Sequence, residues 1–406
     1  MTETEHILLQ LTGRALFDMP AAFDSAATDW EALYREARNQ ALPLLIWDAF
    51  TEEERACIPD AVATRWEQSA LLHIMKNEQL LYEQTQVLQQ LDAAGILCVI
   101  LKGSASAACY PNPSLRVMGD IDLLVKPEQQ REAVKVLQAH GYGEVLEETH
   151  HCHMTISKGE ITVEVHWEPN GLLLNENAES LREIRRFLGD AVERRQFTDG
   201  LPVPADDQQA LILLLHKMEH FFLSGLGLRQ LCDWAVFVGK KMNVSSAEGR
   251  RLWETLRPRL AAFGILNFTG IMTRICIEYL GLPKSSAPWA MEYDAELSRK
   301  VAEQILREGN FGQKAEKYGE RLFSNPNAPN RIVSLFRVMN DACQEYWPVC
   351  GKYPPLRLAA PFLLLGRYLR LRAKGQRPKV NLVKLYRQSG ADQKLYQELR
   401  PFVGEE

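Results

Sequence analysis

The stretch that decides the fold is LKGSASAACYPNPSLRVMGDIDLLV, which runs from Leu101 to Val125. The apolar run ILCVI at residues 96–100 leads into it, so a short buried strand is expected to end at the glycine, before small residues that suit a helix. Two prolines then stop that helix. DIDLLV, at residues 120–125, has the character of a second buried strand. The stretch therefore predicts a strand, a short helix and a second strand, in that order.

The sequence on either side of this stretch is mostly helical. Before it, apolar residues recur at spacings of three and four. After it, PEQQREAVKVLQAHGYG has the proline start, periodicity and glycine stop of a helix, and HHCHMTIS and EITVEVHWE read as two strands. We therefore predict an α+β protein, with an N-terminal helical region at residues 1–92, a small α/β core with a mixed sheet at 93–170, and a C-terminal helical region at 171–406.

The charge of the chain is unevenly distributed. The formal net charge of its 406 residues is −5. Residues 351–406 contain 12 Lys and Arg against 4 Asp and Glu, or +8, which leaves −13 for the first 350 residues. Nucleic-acid binding usually needs a basic surface, so the charge argues against a nucleic-acid partner, although the basic tail keeps RNA open. The tail itself favours an acidic partner.

Three features favour a cytoplasmic protein. The N-terminus is acidic rather than basic, so no export signal is expected. The longest apolar stretch, residues 358–365, is broken by Pro361 and is far shorter than the roughly 20 residues that span a bilayer, so no transmembrane segment is expected. The eight cysteines lack paired CxxC spacing, which argues against a disulfide framework or a zinc ribbon.

Two aspartates of the second strand form the centre of the predicted site. Side chains alternate along a strand, so Asp120 and Asp122 project from the same face. Two carboxylates repel each other unless a cation lies between them, and Mg²⁺ prefers such hard oxygen ligands. In ITVEVHW, Thr162, Glu164 and His166 share one face. Glu164 is therefore the natural third acid of a two-metal site.

The residues between the two strands have the composition of a phosphate-binding loop. Gly103 and Ser104 follow the first strand, where glycine lets a phosphate approach the backbone and the serine hydroxyl adds a donor. Lys102 and Arg116 are candidates to supply positive charge to a triphosphate. His166 is a candidate to support the metal ligands or to face the acceptor, with a structural hydrogen bond as the alternative.

These motifs carry a resemblance to a known family. The stretch from Leu101 to Val125, the helix that ends in HGYG, and the following VEVHW resemble the uncharacterised nucleotidyltransferase family of bacteria, a branch of the DNA polymerase beta superfamily. The resemblance extends over about residues 25–240 and implies the polymerase-beta-like fold for the core.

The resemblance also implies roles for single residues and a reaction. Gly103 and Ser104 would hold the nucleotide phosphates, Asp120 and Asp122 would bind two Mg²⁺ ions, and Glu164 would be the third ligand. The implied reaction is attack by an acceptor hydroxyl on the α-phosphorus of an NTP, with release of pyrophosphate. The acceptor stays open between a small molecule, a sugar phosphate, a peptide and a protein. The alternative is a catalytically silent nucleotide-binding or partner-binding protein of the same fold.

Two other motifs are typical of metal sites. HKMEH places His216, Glu219 and His220 in the order found in inverted zinc peptidases, with both histidines on one helix face. The flanking LILLL instead predicts a buried core helix, where a structural or nucleotide-lining role is favoured. The tract HHCH at residues 150–153 alternates across its strand, so convergence of all four side chains on one metal is not expected.

Overall fold

The structure is a computed structural model. It describes residues 1–143, 145, 152–169, 178–312, 330–347, 349, 353, 359–373 and 394–399. Within these residues the chain forms a small mixed sheet with helices before and after it, which confirms the α+β class. Most of the basic tail, residues 374–393 and 400–406, lies outside the described residues.

A mixed sheet of four strands positions the candidate site. The strands are β1 (Cys98–Ile100), β2 (Ile121–Val125), β3 (His153–Lys158) and β4 (Ile161–His166). Their order is β1-β2-β4-β3. The central pair, β2 and β4, is parallel, and both outer pairs are antiparallel. A parallel pair needs a long crossover, and the helix and hairpin predicted between DIDLLV and VEVHW supply it.

Helices occupy most of the remaining described chain. The N-terminal helices are α1 (Glu3–Phe17), α2 (Trp30–Asn39), α3 (Pro43–Ala49), α4 (Glu52–Ala56) and α5 (Asp60–Ala93), and the core contributes α6 (Ser104–Ala107) and α7 (Gln130–Ala139). After the sheet come α8 (Ala178–Leu188), α9 (Asp206–Glu219), α10 (Leu228–Lys240), α11 (Ala247–Ala262), α12 (Leu266–Tyr279), α13 (Ala295–Glu308), α14 (Arg331–Tyr346) and α15 (Ala360–Ala373). A two-stranded ribbon, β5 (Gln196–Thr198) with β6 (Leu201–Val203), separates α8 from α9.

Two hydrophobic cores are buried among these elements. The smaller core lies between the sheet and helices α5 and α7, and includes Leu91, Leu123 and Val163. The larger core contains side chains from helices that precede the sheet in sequence and from helices that follow it. Leu8 of α1 and Trp234 of α10 are examples. The N-terminal and C-terminal helices are thus joined by shared apolar packing. The described residues contain no helix with the length and apolarity needed to cross a membrane.

Candidate active site

Two of the three predicted acids lie side by side on the central strands. Asp122 of β2 is the direct partner of Glu164 of β4 in the parallel register, so their side chains emerge from the same face of the sheet. Asp122 is buried, whereas Glu164 is half-buried. Asp120 lies just before the first residue of β2 and is also half-buried. Strand order and register therefore bring together acids that are 42 residues apart in sequence.

Lys102 provides a counter-charge at this cluster. Its Nζ lies 2.8 Å from Oδ1 of Asp122. The position follows from the sheet, because the antiparallel pairing of β1 with β2 continues through Leu101, whose N–H donates to the carbonyl of Asp122 over 3.0 Å. Burial favours the neutral amine, but the charges of Asp122, Asp120 and Glu164 outweigh it and raise the pKa of Lys102. Lys102 is therefore held as an ammonium ion.

His166 connects two of the acids. Its Nε2 lies 3.3 Å from Oδ1 of Asp122 and 3.1 Å from Oε2 of Glu164. Burial lowers the pKa of the imidazole, but its interactions with Asp122, Cys152 and Glu164 outweigh this and raise the pKa well above the ordinary value. His166 thus lies beside the acids on the strand face where the sequence pattern places it.

The two aspartates have opposite electrostatic environments. Burial raises the pKa of Asp122, yet Lys102 and His166 together hold it well below its usual range. The pKa of Asp120 is instead raised to about 6, chiefly by the charge of Asp122 and by burial. Clustered oxygen donors that repel one another favour a divalent cation. The donor set of Asp120, Asp122 and Glu164 therefore fits Mg²⁺.

Gly103 and Ser104 lie at the start of the single-turn helix α6. Gly103 has φ +59° and ψ −114°, a conformation that residues with a Cβ rarely adopt. The Ser104 hydroxyl is buried and donates to Oε1 of Gln84, on α5, over 2.7 Å. The bend at Gly103 turns the chain away from the sheet directly after Lys102. A phosphate contact by either residue stays a prediction.

Arg116 lies in a buried ion-pair network on the other side of this loop. Its Nε and Nη2 donate to the two carboxylate oxygens of Asp233 on α10, over 2.9 and 2.8 Å. The Tyr110 hydroxyl donates to the same carboxylate over 2.9 Å. Two donor groups of the guanidinium are therefore engaged within the protein, which favours a structural role for Arg116. Contact with a triphosphate also stays a prediction.

The sequence as a whole gives the family. A family model described as an uncharacterised nucleotidyltransferase matches residues 26–281, which include the sheet, the acid cluster and helices α9 to α12. The chain belongs to this uncharacterised nucleotidyltransferase family. No protein of curated function matches it. The general expectations for a nucleotidyltransferase are an NTP substrate and a divalent metal, and the acid cluster is suited to the metal.

The sheet of this nucleotidyltransferase brings together metal-ligating residues that the sequence pattern separated. Cys152, directly before β3, and His153, its first residue, lie beside His166 of β4. Their ligand atoms all lie within 4.8 Å of one another. The neighbouring His150 and His151 lie outside the described residues. Alternation along β3 alone does not reveal this group, because its third residue, His166, comes from the adjacent strand.

The HKMEH helix faces the same site without forming a recognisable zinc centre. The rings of His216 and His220 are 4.2 Å apart. Burial, followed by the charge of Lys102, lowers the pKa of His216 well below its ordinary value. Within the described residues, the groups close enough to share a metal ion do not include these two histidines. A short π-helix, His220–Ser224, follows directly.

Arg229 is a further cationic residue at the site. It is the second residue of α10, and its Nη1 donates to the carbonyl of Val117 over 3.0 Å. The positive charge of Arg229 partly opposes the rise in the pKa of Asp120. Its Nε is buried and has no hydrogen-bond partner among the described residues. The sequence gives no local signal for this role, because no spacing or motif relates residue 229 to Asp120.

Proposed function

We propose that this protein is a Mg²⁺-dependent enzyme that transfers a nucleoside monophosphate from an NTP to an acceptor hydroxyl. The observation that carries the proposal is the in-register pairing of Asp122 with Glu164 beside Asp120, in a family of nucleotidyltransferases. The raised pKa of Asp120 supports it, because a carboxylate with this repulsion gains most from a bound cation.

Asp120, Asp122 and Glu164 would hold two Mg²⁺ ions. When bound, the metal supplies charge stabilisation for the attacking and leaving oxygens of the phosphoryl transfer. Lys102 keeps Asp122 ionised through its 2.8 Å contact, which prepares the carboxylate as a ligand. His166 lies between Asp122 and Glu164 and limits their movement.

The remaining residues would bind and orient the substrates. Gly103 and Ser104 would contact the nucleotide phosphates. Arg229 is better suited than Arg116 to meet the triphosphate, because part of its guanidinium has no partner among the described residues. During transfer, the acceptor oxygen forms a bond to the α-phosphorus, the bond from that phosphorus to the bridging oxygen breaks, and pyrophosphate leaves. The hydroxyl proton passes to the carboxylate of Glu164.

The acceptor would be bound by the helical regions that face the acids. His216 and Phe311 are candidates for this role. The charge of Lys102 contributes to the lowered pKa of His216, and the Phe311 ring lies 5.9 Å from the Arg229 guanidinium. We propose a non-nucleic-acid acceptor on the grounds of the net charge of −5, and an acidic partner for the basic tail. We also propose a cytoplasmic location, with which the seven described free cysteines agree.

A second candidate is a catalytically silent nucleotide-binding protein. Lys102 and His166 already neutralise Asp122 without a metal, so the acids are compatible with a purely structural network. In that case NTP binding would be independent of Mg²⁺.

Titration of the four NTPs in the presence and absence of Mg²⁺ separates the two candidates. For the enzyme, Mg²⁺ is expected to strengthen binding by at least about tenfold, or roughly 1.4 kcal/mol, and a double variant, Asp120→Asn with Asp122→Asn, is expected to remove this gain. Glu160→Gln is the matched control, since Glu160 is an exposed acid at the start of the β4 hairpin. An affinity that ignores Mg²⁺ in the unmodified protein contradicts the proposal.

A screen for pyrophosphate release with cell extract then looks for the acceptor. Each NTP is added with Mg²⁺ and extract fractions, and labelled product is followed. Release is expected from the unmodified protein and from Glu160→Gln, but not from the double variant.

A further inference from the structure

A second group of potential metal ligands lies beside the acid cluster and shares His166 with it. It consists of Cys152, His153 and His166, which offer a thiol and two imidazoles with ligand atoms within 4.8 Å of one another. Cys152 and His166 are buried, and the His153 side chain is only 10% exposed. The register pairs His153 with His166 across the antiparallel strands β3 and β4, which places their ring centroids 4.7 Å apart.

The spacing of this group fits a tetrahedral ion. With metal–nitrogen and metal–sulfur bonds of about 2.0 and 2.3 Å, neighbouring ligand atoms in a tetrahedral zinc site are about 3.5 Å apart. Sγ of Cys152 lies 3.4 Å from Nδ1 of His153. Nδ1 of His166 is buried and has no hydrogen-bond partner among the described residues. A buried imidazole nitrogen without a partner is costly, and a metal bond removes that cost.

The other ring nitrogen of each histidine, Nε2, lies near the carboxylate of Glu164. Nε2 of His166 lies 3.1 Å from Oε2 of Glu164, and Nε2 of His153 lies 3.9 Å from Oε1 of the same residue. In many metal sites a ligating histidine donates its second N–H to a carboxylate, which fixes the tautomer and the ring orientation. Glu164 lies within hydrogen-bonding distance of His166 and within ion-pair distance of His153.

We propose that Cys152, His153 and His166 bind one Zn²⁺ ion, through Sγ and the two Nδ1 atoms, with water as the fourth ligand. A thiolate with two imidazoles is a donor set that Zn²⁺ prefers and Mg²⁺ does not. On binding, the Cys152 thiol releases its proton to solvent and each imidazole presents a lone pair at Nδ1.

The zinc ion would position Glu164. With both rings fixed, their Nε2–H groups face the two oxygens of Glu164, so that this carboxylate keeps one orientation beside Asp122. The zinc site is separate from the proposed magnesium site, which uses only carboxylate oxygens. Its role in positioning Glu164 rests on the proposed function, but zinc binding itself can be measured without nucleotidyl transfer.

Metal analysis and cobalt substitution test the site. The full-length protein is stripped with a chelator, reloaded with Zn²⁺ or Co²⁺, and desalted. We expect about one ion per chain and, with Co²⁺, an absorption band from thiolate-to-metal charge transfer. Cys152→Ala and His153→Gln are each expected to weaken binding at least about tenfold, and Cys152→Ala to remove the charge-transfer band.

Two control variants test whether the ion is bound by Cys152, His153 and His166 rather than by other residues. Cys98→Ala removes another buried cysteine of the same sheet and is expected to keep both the ion and the band. Asp120→Asn with Asp122→Asn is expected to keep them as well, whereas it abolishes Mg²⁺-dependent NTP binding. The proposal is overturned if Co²⁺ gives no thiolate band in the unmodified protein, if Cys98→Ala loses the ion equally, or if the ion is lost with the aspartates.

Discussion

The half-buried Lys102 and the buried Lys217 have opposite electrostatic environments. Lys102 is surrounded by three carboxylates, which raise its pKa against the effect of burial. Lys217, on α9, is 1% exposed, and its Nζ donates to the carbonyl of Leu213 over 3.1 Å. Burial lowers the pKa of Lys217 to about 8, and the more distant charge of Asp233 only partly opposes this. A buried ammonium without a direct carboxylate partner is expected to cost stability.

Replacement of Lys217 by methionine is expected to stabilise the protein at neutral pH. The pKa shift from 10.5 to about 8 corresponds to roughly 3 kcal/mol, at about 1.4 kcal/mol per unit. Below about pH 8 the lysine is charged in both states and the full penalty is present. As pH rises from about 8 to 10.5 the folded protein binds fewer protons than the unfolded chain, so the penalty disappears.

Chemical denaturation of both proteins over this pH range measures the effect. The free energy of unfolding of Lys217→Met should exceed that of the unmodified protein at pH 7, and the difference should shrink towards pH 10. Lys135→Met, at an exposed position of α7, should show neither effect. A Lys217→Met variant that is less stable at neutral pH would show that the ammonium contributes net stability through its contact with the Trp234 ring, 5.5 Å away.

Among the elements, helix α5 holds the loop that leads into the acids. It is 34 residues long, and two of its buried polar side chains bind the site. Gln84 accepts from Ser104, and Asn77 receives the N–H of Met118 over 3.0 Å. The Asn77 amide also donates to the carbonyls of Ser114 and Arg116 over 3.1 and 2.9 Å. Asn77 thus fixes the loop before β2, together with Arg229, which donates to the carbonyl of Val117.

Asn77→Ala is expected to loosen this loop. Three hydrogen bonds are lost and buried backbone groups are left without partners, which should lower the free energy of unfolding by about 2–3 kcal/mol. NTP affinity should fall as well, because Asp120 follows directly after the loop. Denaturation and NTP titration measure the two effects, with Gln79→Ala, exposed on the same helix, as the control. Equal stability of the two variants would contradict the assigned role of Asn77.

For the molecule as a whole, the network of Arg116, Asp233 and Tyr110 joins the sheet region to the C-terminal helices. All three side chains are buried, and Asp233 receives hydrogen bonds from both partners. Burial would raise the pKa of Asp233, but Arg116 outweighs it and lowers the pKa. The stability contributed by the pair is therefore present at neutral pH and decreases on acidification through the lowered folded-state pKa.

Asp233→Asn is expected to destabilise the protein by about 3–5 kcal/mol, because it leaves the buried Arg116 guanidinium without its counter-charge. The double variant Arg116→Met with Asp233→Asn should be less destabilised than the sum of its two single variants, since it removes both charges. Unfolding free energies of the four proteins complete a double-mutant cycle. Strict additivity would mean that the pair does not couple the two regions.

Much of the fold and part of the site follow from local sequence patterns. Alternation along a strand predicted that Asp120 and Asp122 share a face, and the same rule placed Glu164 and His166 together on β4. The apolar run ILCVI predicted the first strand, because a buried strand needs side chains that can pack on both faces, and the strand-like composition of the later segments predicted the other three. Local periodicity also predicted the helices on both sides of the sheet.

By itself, then, the sequence determined the α+β class and the family, and it predicted the three acids. The class and the acids follow from alternation and periodicity within single elements. Only the tertiary structure decided which side chains far apart in sequence contact each other. Arg116 binds Asp233, which is 117 residues away, and Cys152 and His153 meet His166 because β3 pairs with β4. Strand order and helix packing are set by the burial of whole apolar faces, so no local spacing encodes which polar side chains they bring together.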